Sequence, residues 1–452
     1  MLARATNRFM LPCAVAALIA AASTDIIAGG GFGFGRSRAV GGITIDSSGI
    51  VRKPTEKQTR QTLDAMKLEN VPADLQQLNE IRKVSLKQLE MAIASSDSKE
   101  IADLPDAVKY LAGIQRIKYV FVYPEQNDIV LAGPGEGWKV NAEGIVVGET
   151  TGRPVVLLED LLVAFRSVHK ARQGGVSCSI DPTAEGRRRY REFMSNQRSF
   201  RPSVLDGIAK ALGQQQITLS GIPDSSHYAR VLVAADFHMK SIAMQLADSP
   251  VPELDSYLAM MKKSRVTPTN IMPRWWLASD YEPLAKSDDG LAWEIRGQGV
   301  KAMTENEVIQ TDGSVSGTGK AGDLAKKWSD SMTANYDQLS KKQAVFGQLR
   351  NIMDLSVVAA LVEHNGLRQQ ANCDLAFLMQ DDNSVQIHQY HPPKTIDTQC
   401  SFVKRGSDYL ITASGGVMIE SWPAATRSQL SRHVKEVRAA TSHKAADNWW
   451  WN

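Results

Sequence analysis

The sequence predicts a mixed α/β to α+β protein, with several short mixed or antiparallel sheets, flanking helices and more than one domain. Three observations predict it. Short alternating apolar runs, bounded by Gly, Pro, Asn and Asp, recur from Ile43 to Ile419. Amphipathic stretches at three- and four-residue spacing lie between them. A length of 452 residues exceeds what a single core usually serves.

Residues 1–22 read as a cleavable secretory signal peptide. Arg4 and Arg8 charge its start, Met10 to Ala22 is uncharged and apolar, and Ala20-Ala21-Ala22 supplies small residues for cleavage after Ala22. The run is too short for a spanning helix, which needs about 20 apolar residues, and no later segment is expected to cross a bilayer. Export to the periplasm or the extracellular space follows as the expectation.

Residues 23–53 form a glycine-rich arm and a first hairpin, in which Ser47-Ser48-Gly49 turns Gly41–Asp46 into Ile50-Val51. Residues 54–172 form an N-terminal α+β region. Helices are expected over 55–70, 75–95, 105–111 and 157–170. Leu78, Ile81, Val84, Leu86, Leu89 and Ile93 give the second its stripe. Strands 118–123 and 129–132 flank a turn, and 138–140 pairs with 145–147.

Gly174-Gly175 opens a central α/β unit, residues 173–267. Strands are expected at 176–180, 217–219 and 231–235. Asp181 would cap a helix with Pro182 at its first position, and further helices start at Ser203 and span 251–263. Residues 268–423 form a C-terminal α+β unit. Antiparallel strands at 275–277, 292–295 and 300–303 precede helices 321–339 and 343–363. Short strands follow at 375–379, 385–389, 401–403, 409–412 and 417–419. Residues 424–452 are a basic helix and a Trp-rich, disordered tail. Gly41-Gly42, Gly174-Gly175 and Gly415-Gly416 each precede an alternating strand with a closing acid, at inconstant spacing.

Several phrases are family-specific. They include Tyr119-Val120-Phe121-Val122-Tyr123-Pro124, Asp128-Ile129-Val130-Leu131-Ala132-Gly133-Pro134, Thr150-Thr151-Gly152-Arg153-Pro154, Ser177-Cys178-Ser179-Ile180-Asp181-Pro182-Thr183, Arg274-Trp275-Trp276 and Gly297-Gln298-Gly299-Val300-Lys301. The chain resembles, from about Leu78 to Pro423, a family of exported planctomycete proteins catalogued as domain of unknown function 1598. The resemblance implies export from a bacterial cell and assigns no activity.

Charge narrows the function classes. Loss of Arg4 and Arg8 leaves 50 basic against 49 acidic residues, too balanced a field to hold nucleic acid. The cluster Arg187-Arg188-Arg189 with Arg191 reads as a solvated helix face. Cys178, Cys373 and Cys400 remain after cleavage. Cys373 and Cys400 are the favoured disulfide, worth on the order of 3 kcal/mol in an oxidising compartment, although three buried thiols fit as well.

Candidate chemistry is sparse. Cys178, within a strand and three residues before a helix start, could be a nucleophile with His227 or His238 as base, but buried cysteines are the commoner case. Asp236 and His238 would share a strand face as an acid/base pair. His388 and His391, near Asp381 and Asp382, could hold a metal, yet Pro392-Pro393 makes their segment an edge or loop. Arg274, Trp275 and Trp276 could stack a ligand ring, or be half-buried strand residues. Gly133-Pro134-Gly135-Glu136-Gly137 lacks the Lys-Ser/Thr ending of a phosphate loop and reads as a hairpin connection. No cofactor is expected. The reading is a non-catalytic envelope scaffold that binds a protein or cell-surface polymer. The alternative is an exported hydrolase or thiol enzyme using Cys178 or Asp236 with His238.

Overall fold

Two sheets organise the chain. The larger has nine strands, in the spatial order Thr44–Ile45, Ile50–Arg52, Thr395–Asp397, Gln214–Ser220, Val176–Pro182, Ser414–Ile419, Pro273–Asp280, Gly299–Ile309 and Val315–Gly317. The smaller has seven: Ser428–Leu430, Leu284–Lys286, Ala292–Glu294, Tyr119–Tyr123, Asp128–Gly135, Asn79–Ser85 and Trp450–Trp451. Two hairpins, Trp138–Val140 with Val146–Gly148 and Cys400–Arg405 with Ser407–Thr412, stand apart. The computed structural model describes residues 38–98, 100–197, 204–264, 273–309, 315–380, 385–405, 407–412, 414–441 and 448–452. Ala22 and its leader, most of the glycine-rich arm, and Asp381 and Asp382 lie outside the described residues.

The mixed class is as expected, but strands cross the expected boundaries. Ser414–Ile419 runs parallel to Pro273–Asp280 on one side and antiparallel to Val176–Pro182 on the other. The N-terminal hairpin joins the same sheet through Thr395–Asp397. One apolar core runs from Val40 to Trp449. Glycine is required where these strands close up: a Cβ on Gly415 would meet the Trp275 carbonyl at 1.6 Å, and one on Gly416 the Cys178 carbonyl at 1.8 Å.

Helix Ala344–His364 packs against helices Leu158–Arg166, His227–Ala243 and Ser421–Thr426. By length and composition it could cross a membrane, contrary to expectation, but it is buried inside the protein, as a core helix is.

Five local expectations fail for identifiable reasons. Residues 79–85 form a strand rather than a helix, held between Asp128–Gly135 and Trp450–Trp451, and the helix begins at Leu86. Pairing on both edges overrides the stripe. Residues 231–235 belong to helix His227–Ala243, capped where Ser226 Oγ accepts the Ala229 N–H at 3.1 Å. A short apolar run does not distinguish a strand from a buried helix. Thr183, not Asp181, caps helix Ala184–Ser195, because Asp181 and Pro182 still belong to the strand. Residues 376–379 are helical, and 385–389 contribute one bridge, Gln386 to Glu100. The terminal tryptophans are not a loose tail. Trp450 and Trp451 pair with Val84 and Lys83, Trp449 is buried, and the Trp450 indole donates to Asp74 at 3.1 Å.

Candidate functional site

A cavity of about 310 Å³ opens where segments distant in sequence converge. Arg38, Tyr110, Glu159, His227, Gln348 and Tyr390 line it. Two helix starts place the charged groups. Glu159 and Asp160 occupy the first turn of Leu158–Arg166, where carboxylates favour the helix dipole. His227 opens its own helix immediately after the Ser226 cap.

His227 Nδ1 lies 3.0 and 3.1 Å from the two Asp160 oxygens. Both residues are buried. Burial favours the neutral imidazole, but the Asp160 carboxylate outweighs it and raises the His227 pKa above its ordinary value. Nδ1–H thus donates to Asp160. Nε2 faces the Gln348 side-chain nitrogen at 3.4 Å. The Tyr390 ring is 5 % exposed and stacks under the Arg230 guanidinium, 4.7 Å from the ring centre.

The residues singled out in sequence lie elsewhere. Cys178 is 2 % exposed in the strand Val176–Pro182, and burial pushes its thiol pKa well up, away from a nucleophile's range. Asp236 and His238 sit two apart on a helix, not a strand, so they face different ways. Asp236 meets Lys240 one turn on, at 2.7 Å, both buried. Burial raises the Asp236 pKa despite Lys240. His238 Nε2 donates to the Gly41 carbonyl at 2.9 Å, and burial lowers its pKa to about 4.

The expected Cys373–Cys400 bridge is not formed. Cys373 packs in the main core, whereas Cys400 packs against Tyr190, Ile208 and Leu212. His388 stands 3.9 Å from Glu159, and among the described residues no three His, Cys, Asp or Glu side chains are grouped to hold a metal. Trp275 is sealed in the core, and strand alternation puts Arg274 and Trp276 on the opposite face, so the three do not form one platform. Arg188 pairs with Glu185 and Glu192 on an exposed helix face.

Glu136, in the glycine-rich loop that joins strand Asp128–Gly135 to Trp138–Val140 in a different sheet rather than closing the expected hairpin, is a buried carboxylate. It accepts from the Thr150 and Thr151 amides at 3.1 and 2.9 Å, from Gln115 at 2.7 Å and from both threonine hydroxyls. Burial would raise its pKa, but these donors outweigh burial and hold it at about 2. It is a structural tie between loops.

Of the cavity residues the sequence alone points to His227 and His388, and not to Arg38, Tyr110, Glu159, Gln348 or Tyr390, nor to Asp160 behind His227. The only local signal was the Glu159-Asp160 pair at a helix start. Residues 178–257 match the model of a family described as a protein of unknown function (DUF1598). That segment contains Cys178, His227 and the Asp236–Lys240 pair. No curated protein and no solved structure gives a significant match.

Proposed function

We propose that this is an exported envelope protein that acts by binding, and that the cavity is where it binds. One observation carries the reading: three buried polar atoms of cavity-lining residues, Glu159 Oε2, Gln348 Oε1 and His388 Nδ1, have no hydrogen-bond partner, and the hydroxyl of Tyr390 on the same wall bonds no other described residue. Buried polar atoms normally find a partner, so unmatched ones on a cavity wall suit a ligand. The leader at residues 1–22 supports export. Binding without turnover is supported by Cys178, Asp236 and His238, each of which serves packing or a structural pairing. A protein or cell-surface polymer partner would insert a terminal group of metabolite size, since about 310 Å³ closes over little more.

A metabolite panel read by thermal unfolding tests this. A compound that raises the midpoint of the wild type but not of Tyr390→Phe supports the reading. No binder across the panel, and none accompanying the purified protein in native mass spectrometry, rejects it.

A second reading has one observation in its favour. Asp160 orients His227 at the cavity wall as a carboxylate orients a general base. Hydrolysis of an ester or peptide substrate that disappears in His227→Ala would establish it.

A further inference from the structure

We propose that the cavity takes a small zwitterion, its carboxylate held by Arg38 and the Tyr110 and Tyr390 hydroxyls and its ammonium by Glu159; the proposal rests on the binding reading above.

The charges around the cavity sort into matched and unmatched. Lys109 is taken by Asp106 at 2.7 Å and His227 by Asp160 at 3.0 Å. Lys67 stands at the exposed rim, where water screens it. Two charges remain. Arg38 makes no side-chain ion pair with any described residue. Glu159 meets His388 at 3.9 Å, beyond hydrogen-bond reach. One unmatched cation and one unmatched anion on the wall of a small cavity complement a ligand carrying both charges. A purely anionic ligand would face Glu159, and a purely cationic one Arg38.

The hydroxyls add direction. Those of Tyr110 and Tyr390 bond no other described residue, and both rings line the cavity. Burial raises both phenol pKa values, Glu159 raises them further and Arg38 lowers them, so both charges act on the same two hydroxyls. A phenol kept protonated is a donor suited to a carboxylate, and Arg38 adds a planar fork of donors beside it. Glu159 offers no donor when ionised and suits an ammonium. A volume of about 310 Å³ suits a molecule of amino-acid size.

Isothermal titration of the full exported chain tests the proposal. The probes are the proteinogenic amino acids and glycine betaine, with acetate and methylammonium chloride as half-ligands and methyl glucoside as a neutral polyol. The expected result is that at least one amino acid binds about tenfold or more tighter than either half-ligand. Arg38→Gln and Glu159→Gln should each weaken it by about tenfold or more while the unfolding midpoint holds. The wild-type comparison stands alone where a variant loses its fold. Binding of the glucoside or of one half-ligand as tightly as any amino acid overturns the zwitterion and leaves the binding reading intact. A metabolite found by thermal unfolding, with no amino acid or betaine bound, does the same. No binder of any kind overturns both.

Discussion

Two buried acid–base pairs, Asp236 with Lys240 and Asp160 with His227, show how differently the same chemistry can be used. Asp236 and Lys240 are one turn apart on one helix, and strand Ser414–Ile419 packs against that helix. Asp160 and His227 are 67 positions apart and join two helices, and His227 lines a cavity. The first pair neutralises itself inside the core and has no surface to offer. The second is held by tertiary packing alone and stands beside groups that lack protein partners. The difference teaches that a buried polar pair points to function only when a cavity reaches it.

That contrast can be broken from the sealed side first. Gly416→Ala drives a Cβ into the Cys178 carbonyl between central strands, with no flexible side chain to yield. Denaturant unfolding should show a loss of about 4 kcal/mol or more, or no cooperative fold at all. Wild-type stability in this variant would mean that the sheet is not closed there.

Lys240→Met comes next. It leaves the Asp236 carboxylate buried without its cation and should cost about 3–5 kcal/mol. The double variant with Asp236→Leu should recover most of that loss, because an apolar pair of similar size avoids the desolvation cost. Failure to recover would give the pair a role beyond self-neutralisation.

Asp160→Asn should cost about 1–3 kcal/mol and change the pH dependence. In the wild type the His227 pKa is raised, so its contribution is full below pH 6.5 and is lost as pH rises through the folded value. In the variant only the weaker pull of Glu159 still opposes burial, so the His227 pKa should fall below its ordinary value and stability should instead decrease as pH drops below 6.5. Unfolding free energies between pH 5 and pH 8 read the slope directly, and an unchanged slope would remove Asp160 as the cause.

The smallest effect on stability should come from Tyr390→Phe, within about 1 kcal/mol of the wild type, because the hydroxyl bonds no other described residue. Its effect on ligand affinity should be far larger. A large loss of stability with no loss of binding would reverse the roles given to the two regions.

Legibility in the sequence followed the range of the interaction. Strands 119–123 and 128–135 are close to their expected places because alternation and a Pro-Glu-Gln-Asn turn are local signals. Helix 344–364 was visible from its periodic apolar stripe. Residues 79–85 and 231–235 depart from their local pattern because the first is decided by paired edges and the second by burial on every side. Of the cavity, only His227 and His388 were named, since neither Arg38 nor Tyr390 sits in a motif.

By itself the sequence determined the export leader as an expectation, the mixed α/β class, the balanced charge and the family phrases, because each depends on composition or on residues within a turn or two of one another. Only the tertiary structure decided that Cys178 is sealed, that Cys373 and Cys400 pack in separate clusters, and that Arg38, Tyr110, Glu159, His227 and Tyr390 share one cavity. The physical reason is that burial and charge matching are set by which distant segments the sheets bring together, and no local spacing encodes that.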